Sequence, residues 1–400
     1  MCGILGIAST KEESEKEWLF EGSKLLEHRG PDESGNWWSK CYKVGLFHRR
    51  LSIIDLSENG KQPFVNNILG LSLIYNGEIY NYRELRKYLS SKGHQFKSNS
   101  DTEVIIFAFK EWGNLFLEKL NGAFSLGLYD IKNSKLILAR DRAGEKPLFY
   151  YLSNGTIIFS SELKAILSNT RLPREIDHMA LNSYLSFGYS MNNQCILKGY
   201  KQLEPGKMLI FDTQNGSVNI DSYWQLPSFN PENADLDIIT KLNKLENILE
   251  DAVVKQMHAD VPVGILLSGG IDSSLITAFA SRNFENVNTF NIGFDKNIKV
   301  DESRVASELS NYFGTNHTEF IANPDCVELL PLLAKQFDEP IIDSSMIPTY
   351  LVYKLISKQA KVAISGDGGD ELFGGYKHYS RFLIMSKFLK FFPRFLKHFI

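Results

Sequence analysis

Residues 261–282 read VPVGILLSGGIDSSLITAFASR. Val263–Leu267 is an unbroken apolar run, short enough for a strand buried on both faces. Gly269 and Gly270 then turn the chain, and a helical run opens at Ile271. The unit recurs downstream. VNTFNIGF (287–294) reads as a strand, DESRVASELSNYF (301–313) as a helix, HTEFI (317–321) as a strand, and KVAISGDGGDE (361–371) as another strand and turn. Strands alternating with helices predict a parallel α/β sheet covered on both faces. Ligands of such sheets sit at the carboxyl ends of the strands, where both glycine-rich turns fall.

In the first turn, 268–274, glycine lets the backbone approach a ligand closely, and the helix N-terminus offers free N–H groups to an anion. The hydroxyls of Ser268, Ser273 and Ser274 add donors. A tight strand-to-helix turn, capped by Asp and Ser, is the competing reading. No GK[ST] follows the glycines, which separates this turn from the loop that grips phosphates in P-loop NTPases. SGGIDSS instead resembles the PP-loop of N-type ATP pyrophosphatases, which release pyrophosphate and leave an adenylylated substrate. The second turn, SGDGGDELFGGY (365–376), is acidic. The resemblance implies that Leu267, Ser268, Gly269, Gly270, Asp272, Ser273, Ser365 and Gly366 bind ATP, with Ile292 and Gly293 flanking the adenine. Asp272 and Asp370 are the candidate Mg2+ ligands, because that ion takes few carboxylates plus phosphate oxygens.

Upstream the texture differs, with short strands and two clear helices. Alternation marks Ala123–Asp130 and Lys135–Ala139, and apolar runs mark Leu148–Tyr151 and Thr156–Phe159. One helix is expected at Tyr82–Lys92, capped by Asn81 with Glu84 reaching back, and stopped by Gly93. A second opens at Ser100 with Glu103 as box partner and stops near Gly113. This grouping predicts an α+β layered domain. Residues 214–240, rich in Asn, Ser, Pro and Asp, are the linker candidate, and a long amphipathic helix is expected at Ile238–His258.

Cys2 directly follows the first methionine. Removal of Met1 would leave a free α-amine beside the thiol, and an amine with a pKa of about 7.7–8.0 can serve as that thiol's base. By position alone, a chance small residue is the simpler reading. The company it keeps changes this: HRGPDESG (28–35), HRRLSIIDLS (48–57), YNGEIYNYREL (75–85), SNSDTEVI (98–105), LNGAFSLGLYD (120–130) and ARDRAGEKPLFY (139–150). The series resembles the class II glutamine amidotransferase domain, an αββα N-terminal-nucleophile (Ntn) hydrolase, over most of residues 2–165. The resemblance implies that Cys2 attacks the glutamine amide and that Asn76 and Gly77 form the oxyanion hole. It further implies that Arg50 clamps the α-carboxylate, with Leu51, Ile53 and Ile54 beside it, and that Glu78 and Asp101 hold the α-ammonium. Rival readings exist. Asn76-Gly77 is a hairpin signal, Asp101 a first-turn helix acid, and Arg50 a solvated neighbour of Arg49. His28 and His48 read as structural, since Cys2 carries its own base.

Together the halves resemble the glutamine-hydrolysing asparagine synthetase family. This implies a class II amidotransferase domain over 2–213, the linker over 214–240, and a synthetase-type ATP-binding domain over 241–400. In that family ATP activates aspartate as β-aspartyl-AMP. Ammonia from glutamine, channelled inside the protein, displaces AMP, yielding asparagine, glutamate, AMP and pyrophosphate. Asp367 stands at the acceptor position, where many members carry Glu. The shorter acid leaves open a related amidotransferase acting on another carboxylate, such as one on a surface-polysaccharide sugar. A non-catalytic nucleotide or glutamine sensor is the reading from a different class. The family runs well past GDGGDELFGGY, with a later catalytic lysine, so a chain cut short at the C-terminus is expected. Its tail, SRFLIMSKFLKFFPRFLKHFI (380–400), reads as a core-facing helix without its packing partners, interrupted by Pro393, rather than as a membrane-surface helix.

Bulk properties agree. The 400 residues suggest two or three domains, and 43% hydrophobic residues support a core. A net charge of -3, with signs interspersed, argues against nucleic acid as a partner. Cys2, Cys41, Cys195 and Cys326 form no CxxC pair, and their sparsity fits a reducing compartment. The apolar start is too short for a signal peptide, and no long uncharged apolar stretch predicts a membrane span. A cytoplasmic enzyme is the default, with a homodimer left open.

Overall fold

A computed structural model describes residues 1–12, 16–191, 193–228, 230, 237–294, 303–322 and 327–391. Cys326, Pro393 and residues 301–302 lie outside them. The chain forms two compact units: Met1–Leu236 with His258–Val261 and Asp325–Thr349, and Asp237–Met257 with Pro262–Pro324 and Tyr350–Ile400.

The first unit holds β1 (Gly3–Ser9), β2 (Glu33–Trp38), β3 (Val44–Arg50), β4 (Phe64–Asn66), β5 (Leu71–Ile79) and β6 (Gly122–Asp130). It continues with β7 (Lys135–Arg140), β8 (Phe149–Ser153), β9 (Thr156–Ser160), β10 (Tyr200–Gln202), β11 (Lys207–Asp212) and β12 (Val218–Ser222). They form two antiparallel sheets, ordered β10-β8-β9-β1-β3-β2 and β12-β11-β7-β6-β5-β4. Period-two alternation sorts the side chains into layers. Ile4 and Ala8 of β1 face Ile74, Leu136 and Leu138 between the sheets. Leu5 and Ile7, pointing the other way, meet Leu19, Leu163 and Ile166 of a helical layer. Leu73 and Tyr75 of β5 meet Val104, Ile105 and Ala108 of the opposite helical layer. The result is the αββα arrangement. Phe159 is fully buried between the sheets. An added Cβ on Gly6 or Gly127 would lie 2.3 or 2.8 Å from its ring, so the two glycines make its room.

Both expected helices are present, with different caps. The helix Tyr82–Ser91 has Asn81 at its N-cap but no side-chain cap; Asn81 instead donates to the Lys119 carbonyl and accepts from Asn121 N–H. The helix Asp101–Trp112 is capped by Ser100, while Glu103 reaches back past it to Ser98 and Lys97 N–H. A tertiary bond outcompeted the local cap in the first case; in the second the cap formed, and Glu103 reached past it to residues further back. The stretch read as linker begins with an ordered strand, β12, paired to β11. Residues 229 and 231–236 lie outside the described ones.

The second unit carries β13 (Val263–Leu266), β14 (Asn288–Phe294), β15 (Asn316–Ala322) and β16 (Val362–Ile364), ordered β15-β14-β13-β16 and parallel throughout. Ile265 packs with Val253, Phe279 and Ala280 on one face, and Leu266 packs with Phe290 and Ile356 on the other. The unbroken apolar run of β13 thus has the cause inferred for it, burial on both faces. The amphipathic helix runs Ile238–Gln256. No described helix is long and apolar enough to cross a membrane.

Candidate functional site

The first site is built on an edge of β5. β4 pairs only with Leu71–Leu73, so β5 has no strand neighbour on that side beyond Leu73. Phe124 of β6 exchanges both backbone hydrogen bonds with Asp141, donating to its carboxylate and accepting its N–H. Those groups therefore point away from Gly77, the β5 partner of Phe124. Antiparallel alternation then turns the N–H groups of Tyr75, Gly77 and Ile79 to the outer edge. Tyr75 N–H donates to Gln62 Oε1 at 2.7 Å and Ile79 N–H to Asp101 Oδ2 at 3.0 Å. Between them, Gly77 N–H has no side-chain acceptor among the described residues. A Cβ at Gly77 would lie 2.2 Å from the Ala123 carbonyl oxygen, so glycine alone lets β5 and β6 meet there. Asn76-Gly77 is therefore no hairpin turn; the pair lies inside a nine-residue strand.

Side chains hold this edge rigid. The Tyr75 carbonyl accepts from His48 Nε2 at 3.0 Å, and the Tyr75 hydroxyl donates to Asp101 Oδ2 at 2.8 Å. Burial holds the His48 pKa down at about 3, so its neutral ring is a strut from β3 to β5. Asn76 is fully buried; its Nδ2 lies 3.5 Å from Ser125 Oγ, and its Oδ1 has no partner among the described residues. A half-turn of that amide lets Ser125 donate to Oδ1 and frees Nδ2 as a donor.

Cys2 leads into β1. Leu51 N–H approaches its Sγ at 3.4 Å, and Arg29 Nε donates to its carbonyl at 2.9 Å. Burial pushes the thiol up, opposed by the Leu51 bond and by the charges of the N-terminus and Arg50. Burial likewise holds the Met1 α-ammonium down at about 6. Glu78 has a buried Oε1 without a partner among the described residues, and burial, then the charge of Asp101, pushes its pKa up to about 8. Burial raises Asp101 too. Two crowded carboxyls with an unsatisfied oxygen make a niche for a cation.

Arg50 does not present an open fork. Its Nη1 donates to Glu33 at 2.9 Å, and its Nη2 donates to the carbonyls of Ile54 and Asp55. A ligand carboxylate must displace Glu33 to reach it. Leu51 is the residue of its group that touches Cys2, while the Ile53 carbonyl accepts from Asp260 N–H at 3.0 Å. Gln62, Ser125, Arg29 and Glu162 were missed by the motif reading. Arg29 stands within HRGPDESG and Ser125 within LNGAFSLGLYD, but their partners are 27 and 49 residues away.

In the second unit, Ser268–Ser274 joins β13 to the helix Ile271–Asn283. Gly269 takes φ +86, open to glycine without strain. Ser268 and Ser273 hydroxyls lie 3.1 Å apart, and Gly270 N–H donates to Ser268 Oγ at 3.3 Å. Because β13 and β16 are parallel neighbours, the turn after β16 meets this one. Cβ atoms added at Gly366 and Gly369 would lie 2.9 Å from Asp272 Cβ and 2.7 Å from its Oδ2. Asp272 and the turn bearing Asp370 thus face each other. Among the described residues no group of three or more metal-binding side chains exists. Two acids alone suit an ion that takes most of its ligands from phosphate and water, as Mg2+ does. Ile292 and Gly293 lie near the end of β14, and the Ser365 hydroxyl donates to Asp367 at 2.8 Å.

Comparison with known proteins matches both halves. Residues 1–224 match the family described as glutamine amidotransferase domain, and residues 244–397 the family described as asparagine synthase. Asparagine synthetase [glutamine-hydrolyzing] 1 of Bacillus subtilis is 35% identical over 97% of this chain and 61% of its own length. Asparagine synthetase [glutamine-hydrolyzing] of Sandersonia aurantiaca is 32% identical over 95% of this chain and 68% of its own length. The chain thus spans about three fifths of the Bacillus relative. With an αββα unit followed by a parallel-sheet unit with paired glycine turns, it belongs to the glutamine-hydrolysing asparagine synthetase family.

Proposed function

We propose that the chain hydrolyses glutamine at Cys2 and, with ATP, transfers the ammonia to the side-chain carboxylate of aspartate. The observation that carries this reading is the β5 edge, where, among the described residues, an N–H without a side-chain acceptor on Gly77 adjoins a buried oxygen without a donor on Glu78. One suits a developing oxyanion and the other an α-ammonium.

With Met1 removed, the α-amine of Cys2 takes the thiol proton, and the thiolate attacks the glutamine amide carbon. The resulting oxyanion is held by Gly77 N–H and Asn76 Nδ2. Glu78 and Asp101 hold the α-ammonium, and Arg50, released from Glu33, holds the α-carboxylate. The amine returns its proton to the leaving nitrogen, and ammonia departs from a glutamyl thioester. Water then cleaves the thioester to glutamate and the free thiol. On this reading the glutaminase covers 2–213 and the ATP-using part 241–400. Gly269, Gly270 and the hydroxyls of Ser268 and Ser273 cradle the ATP phosphates, with Leu267, Ser365 and Gly366 beside them and the adenine at Ile292 and Gly293. The aspartate carboxylate attacks the α-phosphorus, and pyrophosphate leaves. Mg2+, when bound by Asp272 and Asp370, neutralises phosphate charge. Ammonia attacks the acyl carbon, and AMP leaves. The sparse cysteines suit work in the reducing cytoplasm.

Asp367 favours a second acceptor. Its carboxylate is turned onto its own loop by Ser365, which suits a longer carboxylate substrate. Met1-processed protein, assayed for glutamate and for pyrophosphate with aspartate or a uronic acid, tests both. Cys2→Ala should lower glutaminase by about a thousandfold or more. Glutamine breakdown unaffected by that substitution removes the proposal.

A further inference from the structure

A buried ionic chain begins at the nucleophile and leaves the glutamine site. The Cys2 carbonyl accepts from Arg29 Nε at 2.9 Å. Arg29 Nη1 donates to Glu162 Oε1 at 2.9 Å, and Lys164 Nζ donates to Glu162 Oε2 at 2.6 Å. Lys164 Nζ also reaches Asp338 Oδ1 at 3.1 Å and the Gln336 carbonyl at 2.9 Å. Asp338 in turn accepts the backbone N–H groups of Leu163 at 2.5 Å and Lys164 at 3.2 Å. The side chains of Arg29, Glu162 and Asp338 are 9%, 8% and 9% exposed, so the charges are held largely out of water. His28 Nε2 shares Glu162 Oε1 at 2.9 Å.

Asp338 belongs to the first compact unit, yet it lies within residues 244–397, the stretch matching asparagine synthase. Through Lys164, Glu162 and Arg29 it is linked to Cys2, 336 positions earlier in the chain. The bond to the Cys2 carbonyl fixes the peptide plane one bond from the Cα that carries the thiol. Turning that plane re-aims Cβ and Sγ. Removing one member of a desolvated ionic chain leaves its neighbour uncompensated and free to turn.

We infer that Arg29, Glu162, Lys164 and Asp338 form a relay that positions Cys2, so that a segment of the asparagine-synthase stretch sets how well the thiol attacks glutamine. This rests on the glutaminase reading above. The four are positioning residues. Glutamine itself is held by Arg50, Glu78 and Asp101, which lie outside the relay, so the turnover step changes and binding does not.

The test uses the full chain with Met1 removed. Lys164→Gln cuts the link while leaving Asp338 on the two backbone N–H groups; Asp338→Asn cuts it from the other side; Lys164→Arg restores it. Three readouts apply: the rate of Cys2 alkylation by 6-diazo-5-oxo-L-norleucine, kcat and KM for glutamine, and the 13C shift of a labelled Cys2 carbonyl. Lys164→Gln should lower alkylation and kcat about tenfold with KM within about twofold, shift the carbonyl signal, and be rescued by arginine. If it fails to fold, Asp338→Asn carries the same readouts. A folded variant with wild-type kcat and an unmoved carbonyl signal overturns the relay, as does a loss confined to KM. Wild-type protein that resists alkylation sinks the glutaminase reading instead, and the carbonyl signal still decides the relay.

Discussion

Glu78→Gln probes the cation niche directly. Burial and Asp101 place the Glu78 pKa at about 8. Between pH 6 and 8 the carboxyl of the free protein therefore goes from about 1% to about 50% ionised. Glutamine's α-ammonium is charged throughout, and it must meet a carboxylate. Ionising Glu78 costs about 2.7 kcal/mol at pH 6 and about 0.4 kcal/mol at pH 8. A charge-assisted bond to the buried oxygen contributes about 1.5–3 kcal/mol. Glutamine affinity should thus rise by about 1–2 kcal/mol, roughly six- to thirtyfold, across this range. In Glu78→Gln that component is absent. Titration calorimetry on a Cys2→Ala background prevents turnover. In buffers of different ionisation enthalpy it should show about half a proton released per glutamine at pH 8, less in the variant. Equal pH slopes and equal proton release in the two proteins would refute the niche. The same shift predicts stability. A carboxyl raised in the folded state favours folding at low pH, and that stability is lost as pH rises from 4.5, its unfolded value, through about 8. Glu78→Gln should flatten that decline in urea titrations.

Gly77→Ala would press a methyl to 2.2 Å from the Ala123 carbonyl, parting β5 from β6. Glutaminase kcat should fall about a hundredfold or more, measured as glutamate release, because the N–H proposed as oxyanion donor moves. Gly369→Ala would set its Cβ 2.7 Å from the Asp272 carboxyl. Pyrophosphate release should fall about tenfold or more while glutaminase stays within about twofold, which assays run in parallel will separate. His48, held at about 3 by burial against 6.5 unfolded, contributes stability that is present above pH 6.5 and lost as pH falls toward 3. The loss should be about 1.4 kcal/mol per pH unit in urea midpoints, and shallower in His48→Gln.

Much of this was legible in the motifs. The run 263–267 announced a strand covered on both faces, and the glycine turns announced where it ends. The series from HRGPDESG to ARDRAGEKPLFY placed Cys2, Asn76, Gly77, Glu78 and Asp101 in one half of the chain, and the structure groups them around the β5 edge and the start of β1. Caps and turns read from neighbouring residues fared less well. Asn81 turned away to Lys119 and Asn121, and Asn76-Gly77 became the middle of a strand because Ser125 and Phe124 offered it a sheet partner.

Sequence by itself determined the residue chemistry and the element types, because both depend on short-range pattern: period two, period 3.6, and glycine where backbone must crowd. Tertiary structure alone decided which groups are left without partners. Only once β4 stops short does Gly77 N–H face an open edge, and only once Glu78 is buried beside Asp101 does its carboxyl hold a proton near neutrality. It also brought Asp338 to Lys164. Hydrogen-bond satisfaction and desolvation depend on what surrounds an atom in space, and the surroundings here come from residues dozens to hundreds of positions away.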